Sequence, residues 1–148
     1  MHVVLTTGHH SIPEQYLPLP DNFHFAPYLP GLSLAERCDL MIHHGGYGSC
    51  QTGLFTGTPA IIVPTFSERE SNARRIASLG AGVFVLPEVT ATGGKTIAID
   101  KFKEQVMHVL KTPKFRENAE KYRDVVRSSG GVDKALNLIE KVANDNVQ

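Results

Sequence analysis

The chain has 148 residues, the size of one ordinary domain that can bury a hydrophobic core. Its 15 basic and 15 acidic residues cancel, so no long-range field draws the chain to nucleic acid or to an anionic membrane. Two cysteines are too few for a disulfide framework or a Cys-rich zinc site, which predicts a reduced, cytoplasmic protein whose thiols pack as small apolar groups. We expect neither a membrane span nor a secretory signal.

Short apolar runs alternate with helix-like segments in the first part of the chain. The pattern predicts strands at 2–6, 22–26, 39–43, 59–63 and 82–86. It predicts helices near 33–37, 48–56 and 69–79. Two stretches punctuated by proline or glycine, 8–20 and 90–96, are predicted to be surface loops. Strands that alternate with helices indicate an α/β fold with a Rossmann-like, doubly wound parallel sheet.

The last third of the chain is predicted to be helical, because its apolar residues recur at intervals of three and four. One stripe begins at Phe102 and another runs from Val132 to Val142. Between them, Thr112 and Pro113 predict the cap and the first turn of a further helix. The domain therefore is expected to end in C-terminal helices.

A glycine-rich turn at 43–49 joins the third predicted strand to the helix at 48–56. Such a turn gathers unpaired backbone N–H groups at the positive end of a helix dipole, which favours a bound phosphate or diphosphate. Glycine lets the backbone approach the anion, while Ser49 and a histidine ring add side-chain donors. Because glycines are common in tight turns that bind no ligand, this turn predicts a diphosphate site only together with a second, independent signal.

The second signal is the polar loop at 64–72, which follows the next predicted strand. In an open parallel sheet, successive loops at the carboxyl ends of neighbouring strands line one crevice. We therefore expect the loops at 43–49 and 64–72 to face the same ligand, a nucleoside diphosphate.

A series of short motifs continues in a fixed order from this turn to the fifth strand. The motifs are His44-Gly45-Gly46, Ser49, Gly57-Thr58-Pro59, Ile61-Ile62-Val63-Pro64, Glu68-Arg69, Asn72-Ala73 and Gly80-Ala81-Gly82. The series resembles the C-terminal, donor-binding half of GT-B glycosyltransferases, closest to the UDP-glycosyltransferase superfamily and its bacterial antibiotic-modifying members. The resemblance covers nearly the whole chain and implies that 1–148 is one nucleotide-sugar donor-binding domain. Its first strand and an N-terminal acceptor domain are expected to precede Met1.

The resemblance implies a role for each part of the site. The donor diphosphate would be held by His44, Gly45, Gly46, Tyr47, Gly48 and Ser49. The donor sugar would contact Glu68 and Arg69, with Asn72 as a supporting residue. The nucleoside would contact Tyr28, Leu29 and Thr52, and the Tyr28 ring could stack on uracil or thymine. His43 is expected to be structural.

The chain departs from the family pattern at several of these positions. Arg69 replaces a Gln that usually binds the sugar, and a guanidinium donates hydrogen bonds but accepts none. This change either favours an acidic or otherwise unusual donor sugar or reflects a surface ion pair with Glu68 or Glu70, and we prefer the surface pair. Thr52 replaces a Glu that many members use for the ribose hydroxyls, and Gly31 replaces a Gln that reads the base in plant members. The identity of the base is left open.

For the complete enzyme, the resemblance implies inverting, metal-independent transfer of a hexose from a UDP-sugar or dTDP-sugar to an acceptor hydroxyl, without a cofactor. The acceptor site and the general base would lie in the N-terminal domain or in a partner subunit, so no catalytic residue is expected in this chain. An apolar face left open at that boundary would also favour self-association. The alternative is a nucleotide-binding or protein-interaction module without activity of its own.

Other chemistries fit the sequence less well. The pairs His9-His10 and His43-His44 do not predict a metal site, because neighbouring residues on a strand point to opposite faces. The turn lacks the Gly-x-Ser-x-Gly elbow of serine hydrolases, and the chain lacks the Gly-x-x-x-x-Gly-Lys-Ser/Thr loop of kinases and ATPases. Sugar-nucleotide epimerases share the GT-B fold and are a further enzyme alternative.

Overall fold

The computed structural model describes residues 1–8 and 10–145, which form alternating strands and helices followed by C-terminal helices. The strands are β1 (Val3–Thr6), β2 (Phe23–Ala26), β3 (Met41–His43), β4 (Ala60–Ile62), β5 (Gly82–Phe84), β6 (Glu88–Val89) and β7 (Lys95–Thr96). The helices are α1 (Gly31–Ala35), α2 (Tyr47–Thr56), α3 (Ser67–Ser78), α4 (Ile99–Lys111), α5 (Pro113–Arg127) and α6 (Gly131–Asp145). The predicted elements are present with small shifts of their ends.

The long-range strand pairs are parallel, as the alternation of strands and helices predicts. Strand β1 pairs with β2, and a second ladder has the order β3-β4-β5. In the second ladder Ala60 lies opposite Met41 on one side and Gly82 on the other. Helices α2 and α3 make the crossovers that parallel strands require. The predicted α/β fold with parallel strands and C-terminal helices is confirmed.

The two faces of β4 bury separate clusters of side chains, since successive strand residues point to opposite faces. Ile62 packs with buried residues of α2 and α3, such as Ala73. Ile61 packs on the other face with Val106 and Val109 of α4. Helices therefore cover both faces of the ladder, and both isoleucines are 0% exposed. This three-layer core supports the loops at the carboxyl ends of the strands.

Helix α5 fixes the far ends of the elements that carry the glycine-rich turn. Arg116 donates from Nη1 to the Gly57 carbonyl at 3.0 Å and from Nη2 to the Cys38 carbonyl at 2.9 Å. Gly57 ends α2 with a φ of 73°, a left-handed conformation that favours glycine. A single guanidinium thus ties the C-terminal end of α2 to the segment that enters β3.

The two predicted loops contain short regular elements. Glu14–Tyr16 forms one turn of 3₁₀ helix within 8–20. The stretch 90–96 connects β6 to β7 and includes β7, and its turn is closed by the Thr90 N–H bond to the Gly94 carbonyl at 2.8 Å. The loop prediction for 90–96 was wrong at its C-terminal end, because a two-residue strand is too short to show a period of two beside its turn glycines.

The C-terminal helices match the predicted pattern, with two differences in detail. Pro113 occupies the first turn of α5, but the Thr112 side chain at the N-cap makes no capping hydrogen bond. Helix α6 has no buried residue, and its apolar residues Val132, Leu136 and Ile139 are half or more exposed. Within residues 1–8 and 10–145, no helix has the length and apolar character needed to span a membrane.

Candidate functional site

The glycine-rich turn lies at the carboxyl end of β3 and leads directly into α2. Gly46 is the N-cap of α2 and has no side chain to bond the first N–H groups. The Cys50 N–H makes the first intrahelical bond, to the Gly46 carbonyl at 3.1 Å. The N–H groups of Tyr47, Gly48 and Ser49 therefore precede the intrahelical ladder, as the first N–H groups of any helix do. They present donors at the positive end of α2, where an anion is stabilised.

Gly45 allows the turn to pack closely against the start of α3. Its φ is 89°, and a Cβ atom added there would lie 2.8 Å from the Arg69 carbonyl oxygen and 2.9 Å from Ile62 Cγ2. Both the backbone conformation and the lack of space exclude a larger residue. The turn thus has a fixed position relative to the loop after β4.

Asn72 bonds the two predicted polar loops together. Its Nδ2 donates to the Gly45 carbonyl at 3.0 Å and to Glu68 Oε1 at 3.1 Å. Asn72 is half-buried, whereas the Glu68 side chain is exposed. The structure thus brings 43–49 and 64–72 into direct contact through Asn72.

His43 holds the turn from the strand side. Its Nδ1 accepts a hydrogen bond from the Gly45 N–H at 3.1 Å, so the ring proton is on Nε2. Nε2 is buried, and among residues 1–8 and 10–145 it has no hydrogen-bond partner. Burial lowers the pKa of His43 to about 4, and the neighbouring His44 acts in the same direction. A neutral His43 that fixes the backbone matches the structural role expected for it.

His44 lies at the open side of the turn. Its ring covers Gly46, since a Cβ atom built on Gly46 would lie 2.6 Å from His44 Nε2. Partial burial lowers the pKa of His44, Arg69 lowers it further, and Glu68 opposes them. These effects favour a neutral imidazole that offers one N–H donor beside the start of α2.

Arg69 turns away from its acidic neighbours on α3. Its Nη1 donates to Thr65 Oγ1 at 2.6 Å, and its guanidinium lies 3.9 Å from the centroid of the Phe66 ring. The predicted ion pair of Arg69 with Glu68 or Glu70 was wrong. Adjacent helical residues point in different directions, and a side chain on a helix leans towards the preceding turn.

The two acidic neighbours have other partners. Glu70 pairs with Arg74 one turn further along α3, at 2.6 Å. Glu68 accepts the hydrogen bond from Asn72. Both pairs have the i,i+4 spacing that brings side chains together on a helix.

The residues predicted to bind the nucleoside lie outside the glycine-rich turn. Tyr28 follows β2 and is 71% exposed, while Leu29 is half-buried. Thr52 lies in the second turn of α2, where its carbonyl accepts a hydrogen bond from Thr56 Oγ1 at 2.9 Å. Within residues 1–8 and 10–145, no hydrogen bond or ring contact joins Tyr28 to Thr52 or to the glycine-rich turn. Tyr47, in the turn itself, is also exposed.

One residue beside the site was missed in the sequence. Lys95 in β7 donates through Nζ to the Thr65 carbonyl, on the same loop that Arg69 contacts. Lys95 is separated from Thr65 by 30 positions and stands in a stretch predicted to be a loop. No local pattern could have placed it there.

The described part of the chain, 1–8 and 10–145, contains no group of three or more His, Cys, Asp or Glu residues that could hold a metal ion. His9, one of the paired histidines weighed as metal ligands, lies outside the described residues. Cys38 and Cys50 have free thiols, the first half-buried and the second buried. The sequence predicts that both thiols pack as small apolar groups, and Cys50 is buried in this way whereas Cys38 is only half-buried.

The family is identified by a match along most of the chain. The model of the erythromycin biosynthesis protein CIII-like C-terminal domain matches residues 2–131. The chain belongs to this family. The chain is also 32% identical, over 138 residues, to the NDP-glycosyltransferase YjiC of Bacillus licheniformis. The match covers 93% of this chain and 33% of YjiC.

Solved glycosyltransferases have the same fold as this chain. The glycotransferase of kitacinnamycin is similar with a TM-score of 0.80 and 28% identity, over 95% of this chain and 34% of that one. The spinosyn rhamnosyltransferase SpnG, solved in complex with thymidine diphosphate, gives a TM-score of 0.69 and 25% identity, over 86% of this chain and 33% of SpnG.

The chain spans about a third of the length of these proteins. The predicted relationship of this chain to the C-terminal, donor-binding domain of antibiotic-type GT-B glycosyltransferases is confirmed.

Proposed function

We propose that this chain is the nucleotide-sugar binding domain of a glycosyltransferase that transfers a hexose from a UDP-sugar or dTDP-sugar to an acceptor hydroxyl. The observation that carries the proposal is the open N-terminus of α2, held in place by the packing of Gly45 against Arg69 and by the Asn72 hydrogen bond. The thymidine diphosphate complex of the related SpnG supports a nucleoside diphosphate as the ligand.

The proposed ligand contacts follow from the donors and acceptors on each element. The diphosphate accepts hydrogen bonds from the first N–H groups of α2, from the Ser49 hydroxyl and from the His44 ring. The Glu68 carboxylate accepts from sugar hydroxyls while Asn72 holds it. The nucleoside extends towards Leu29, Thr52 and the exposed Tyr28 ring, whose face suits a pyrimidine base.

The proposed reaction inverts the anomeric centre. A general base in an acceptor-binding domain takes the proton of the acceptor hydroxyl, and the acceptor oxygen attacks the anomeric carbon. The bond from that carbon to the phosphate oxygen breaks, and the nucleoside diphosphate leaves with the electron pair. Donors that face a developing negative charge lower the barrier, and removing one such donor costs on the order of 3 kcal/mol in enzymes. This domain thus stabilises the leaving group.

We propose that neither a metal ion nor a cofactor takes part. The first N–H groups of α2, at the positive end of its dipole, and the His44 N–H provide the donors that the diphosphate needs. Binding of UDP or dTDP should therefore be the same with and without EDTA. We place the protein in the cytoplasm, where the free thiols of Cys38 and Cys50 would stay reduced.

The experiment that tests the proposal is a calorimetric titration of the chain with UDP and dTDP, with adenosine diphosphate as a control. His44→Ala and Ser49→Ala should each weaken binding about tenfold or more without changing the midpoint of thermal unfolding. His10→Ala and Ser78→Ala are matched controls, because both side chains are exposed and lie outside the proposed site. Unchanged affinity in both test variants would contradict the proposed diphosphate turn.

The second candidate is a nucleotide-binding or protein-interaction module without activity of its own. The exposed apolar residues of α6 favour a partner, either an acceptor-binding domain or a second copy of the chain. Sugar transfer after addition of an acceptor-binding domain would support the enzyme. A mass that rises with concentration, without transfer under any condition, would support the interaction module.

A further inference from the structure

Two cationic side chains meet on the loop that flanks the glycine-rich turn. Arg69 Nη1 donates to Thr65 Oγ1 at 2.6 Å, and Lys95 Nζ donates to the Thr65 carbonyl. The Arg69 side chain starts beside the turn, because its Cβ is 3.2 Å from the Cβ position built on Gly45. Arg69 also lowers the pKa of His44, so its positive charge acts on the imidazole beside the start of α2.

Neither cation is neutralised by an acidic side chain. In residues 1–8 and 10–145, no ion pair includes Arg69 or Lys95. Glu70 is paired with Arg74, and Glu68 accepts from Asn72. The Arg69 guanidinium is already held by the Phe66 ring and the Thr65 hydroxyl, so little conformational entropy remains to be lost when it binds an anion.

The chemistry of these two groups selects among sugars. Guanidinium and ammonium groups donate hydrogen bonds and accept none, so they leave the O–H donor of a neutral sugar hydroxyl without a partner. A sugar that carries an ammonium group would be repelled by both. A carboxylate instead accepts two parallel hydrogen bonds from a guanidinium and is attracted by a nearby ammonium.

We propose that Arg69 and Lys95 bind the carboxylate of a hexuronic acid, so that the preferred donor is a nucleoside diphosphate uronic acid. This inference rests on the proposed function, because the sugar lies beside Arg69 only when the diphosphate occupies the glycine-rich turn. It assigns Lys95, from a hairpin distant in sequence, to the donor site.

The test is calorimetric titration of the chain with UDP, UDP-glucose and UDP-glucuronate, or with the thymidine counterparts if dTDP binds better than UDP. The unchanged chain should bind the glucuronate about tenfold more tightly than the glucose compound. Arg69→Gln should remove this preference and leave the affinity for UDP within about twofold, and Lys95→Gln should reduce the preference. Arg74→Gln is the matched control, since it removes the same charge from the same helix at an exposed position.

The other possible results of these titrations each reject the inference, and they show whether the proposed function fails as well. Equal affinity for both sugar nucleotides in the unchanged chain overturns the inference and leaves the proposed function intact. Equal weakening of all three ligands by Arg69→Gln also overturns it, because the guanidinium would then act on the diphosphate. If none of the nucleotides binds, the proposed function fails and the inference fails with it. Should Arg69→Gln not fold, the exposed Lys95→Gln variant decides, and an unchanged preference there rejects the inference.

Discussion

The central ladder and the terminal helix use apolar side chains in opposite ways. Helix α3 is rich in charged and polar residues, yet its Ala73 and Ile76 are buried against the ladder. Helix α6 has a regular apolar stripe, yet none of its residues is buried. Periodicity predicts that a helix forms and which face is apolar, whereas burial requires a second surface to pack against. We therefore expect the ladder to carry the stability of the domain and α6 to contribute little.

The largest effect should come from the centre of the ladder. Ile62→Ala removes a side chain that is 0% exposed and leaves a cavity between β4, α2 and α3. We expect the free energy of unfolding to fall by about 4 kcal/mol. Urea unfolding followed by circular dichroism measures this change, and a loss below about 1 kcal/mol would show that the ladder is not the stable part of the molecule.

The next effect should come from the turn that the ladder supports. Gly45→Ala forces a side chain into a left-handed conformation and against the Arg69 carbonyl, so we expect a loss of about 3 kcal/mol in unfolding free energy and loss of UDP binding. Gly48→Ala is the control: a Cβ there meets nothing within 4 Å, and helix propensity should stabilise that variant by up to about 1 kcal/mol. Equal stability of the two variants would mean that the turn is not held against α3.

A smaller, pH-dependent effect is expected at His43. Burial lowers its folded-state pKa to about 4 from an ordinary value of 6.5, so the unfolded chain binds more protons between these two pH values. The contribution of His43 to the free energy of unfolding should therefore be fully present above pH 6.5. It should fall by about 2 kcal/mol as the pH drops towards 4. Urea unfolding at several pH values measures the slope.

Two variants separate the charge of His43 from its hydrogen bond. His43→Asn keeps an acceptor for the Gly45 N–H and removes the titration, so it should flatten the slope and retain UDP binding. His43→Leu removes the acceptor and should weaken UDP binding. A slope that is the same in His43→Asn and in the unchanged chain would assign the pH dependence to other groups.

The smallest effect is expected on α6. Ile139 is 65% exposed, so Ile139→Ala should change the unfolding free energy by less than about 0.5 kcal/mol at low protein concentration. A loss of more than 1 kcal/mol, as urea unfolding would show, means that another surface covers this face in solution. Sedimentation at several concentrations then distinguishes a second copy of the chain from a contact within one molecule.

Much of the fold could be predicted because its signals are local. Apolar runs of three to five residues, turn glycines and helical spacing placed the strands of both parallel ladders and all the long helices close to their observed positions. The β6–β7 hairpin was missed because two-residue strands have no measurable period. The single donor-binding domain over 1–148 and the nucleoside contacts of Tyr28, Leu29 and Thr52 stay predictions.

The candidate site could be predicted in part. Turn chemistry and the family resemblance pointed to His44 and to the glycines after it, and the structure places that turn at an open helix N-terminus against the loop after β4. The partner of Arg69 was predicted wrongly, since sequence neighbours suggested Glu68 or Glu70. Because a helical side chain leans towards the preceding turn, Arg69 contacts Thr65 and Phe66 instead.

By itself, the sequence determined the order of the elements, the glycine-rich turn and the family, because each of these depends on residue types at short and regular spacing. Tertiary structure alone decided that Lys95 reaches Thr65 across 30 positions and that Asn72 bonds the Gly45 carbonyl across 27. It also decided that α3 is partly buried while the apolar stripe of α6 is exposed. Such contacts depend on where separate elements meet in space, and no local pattern of residues contains that information.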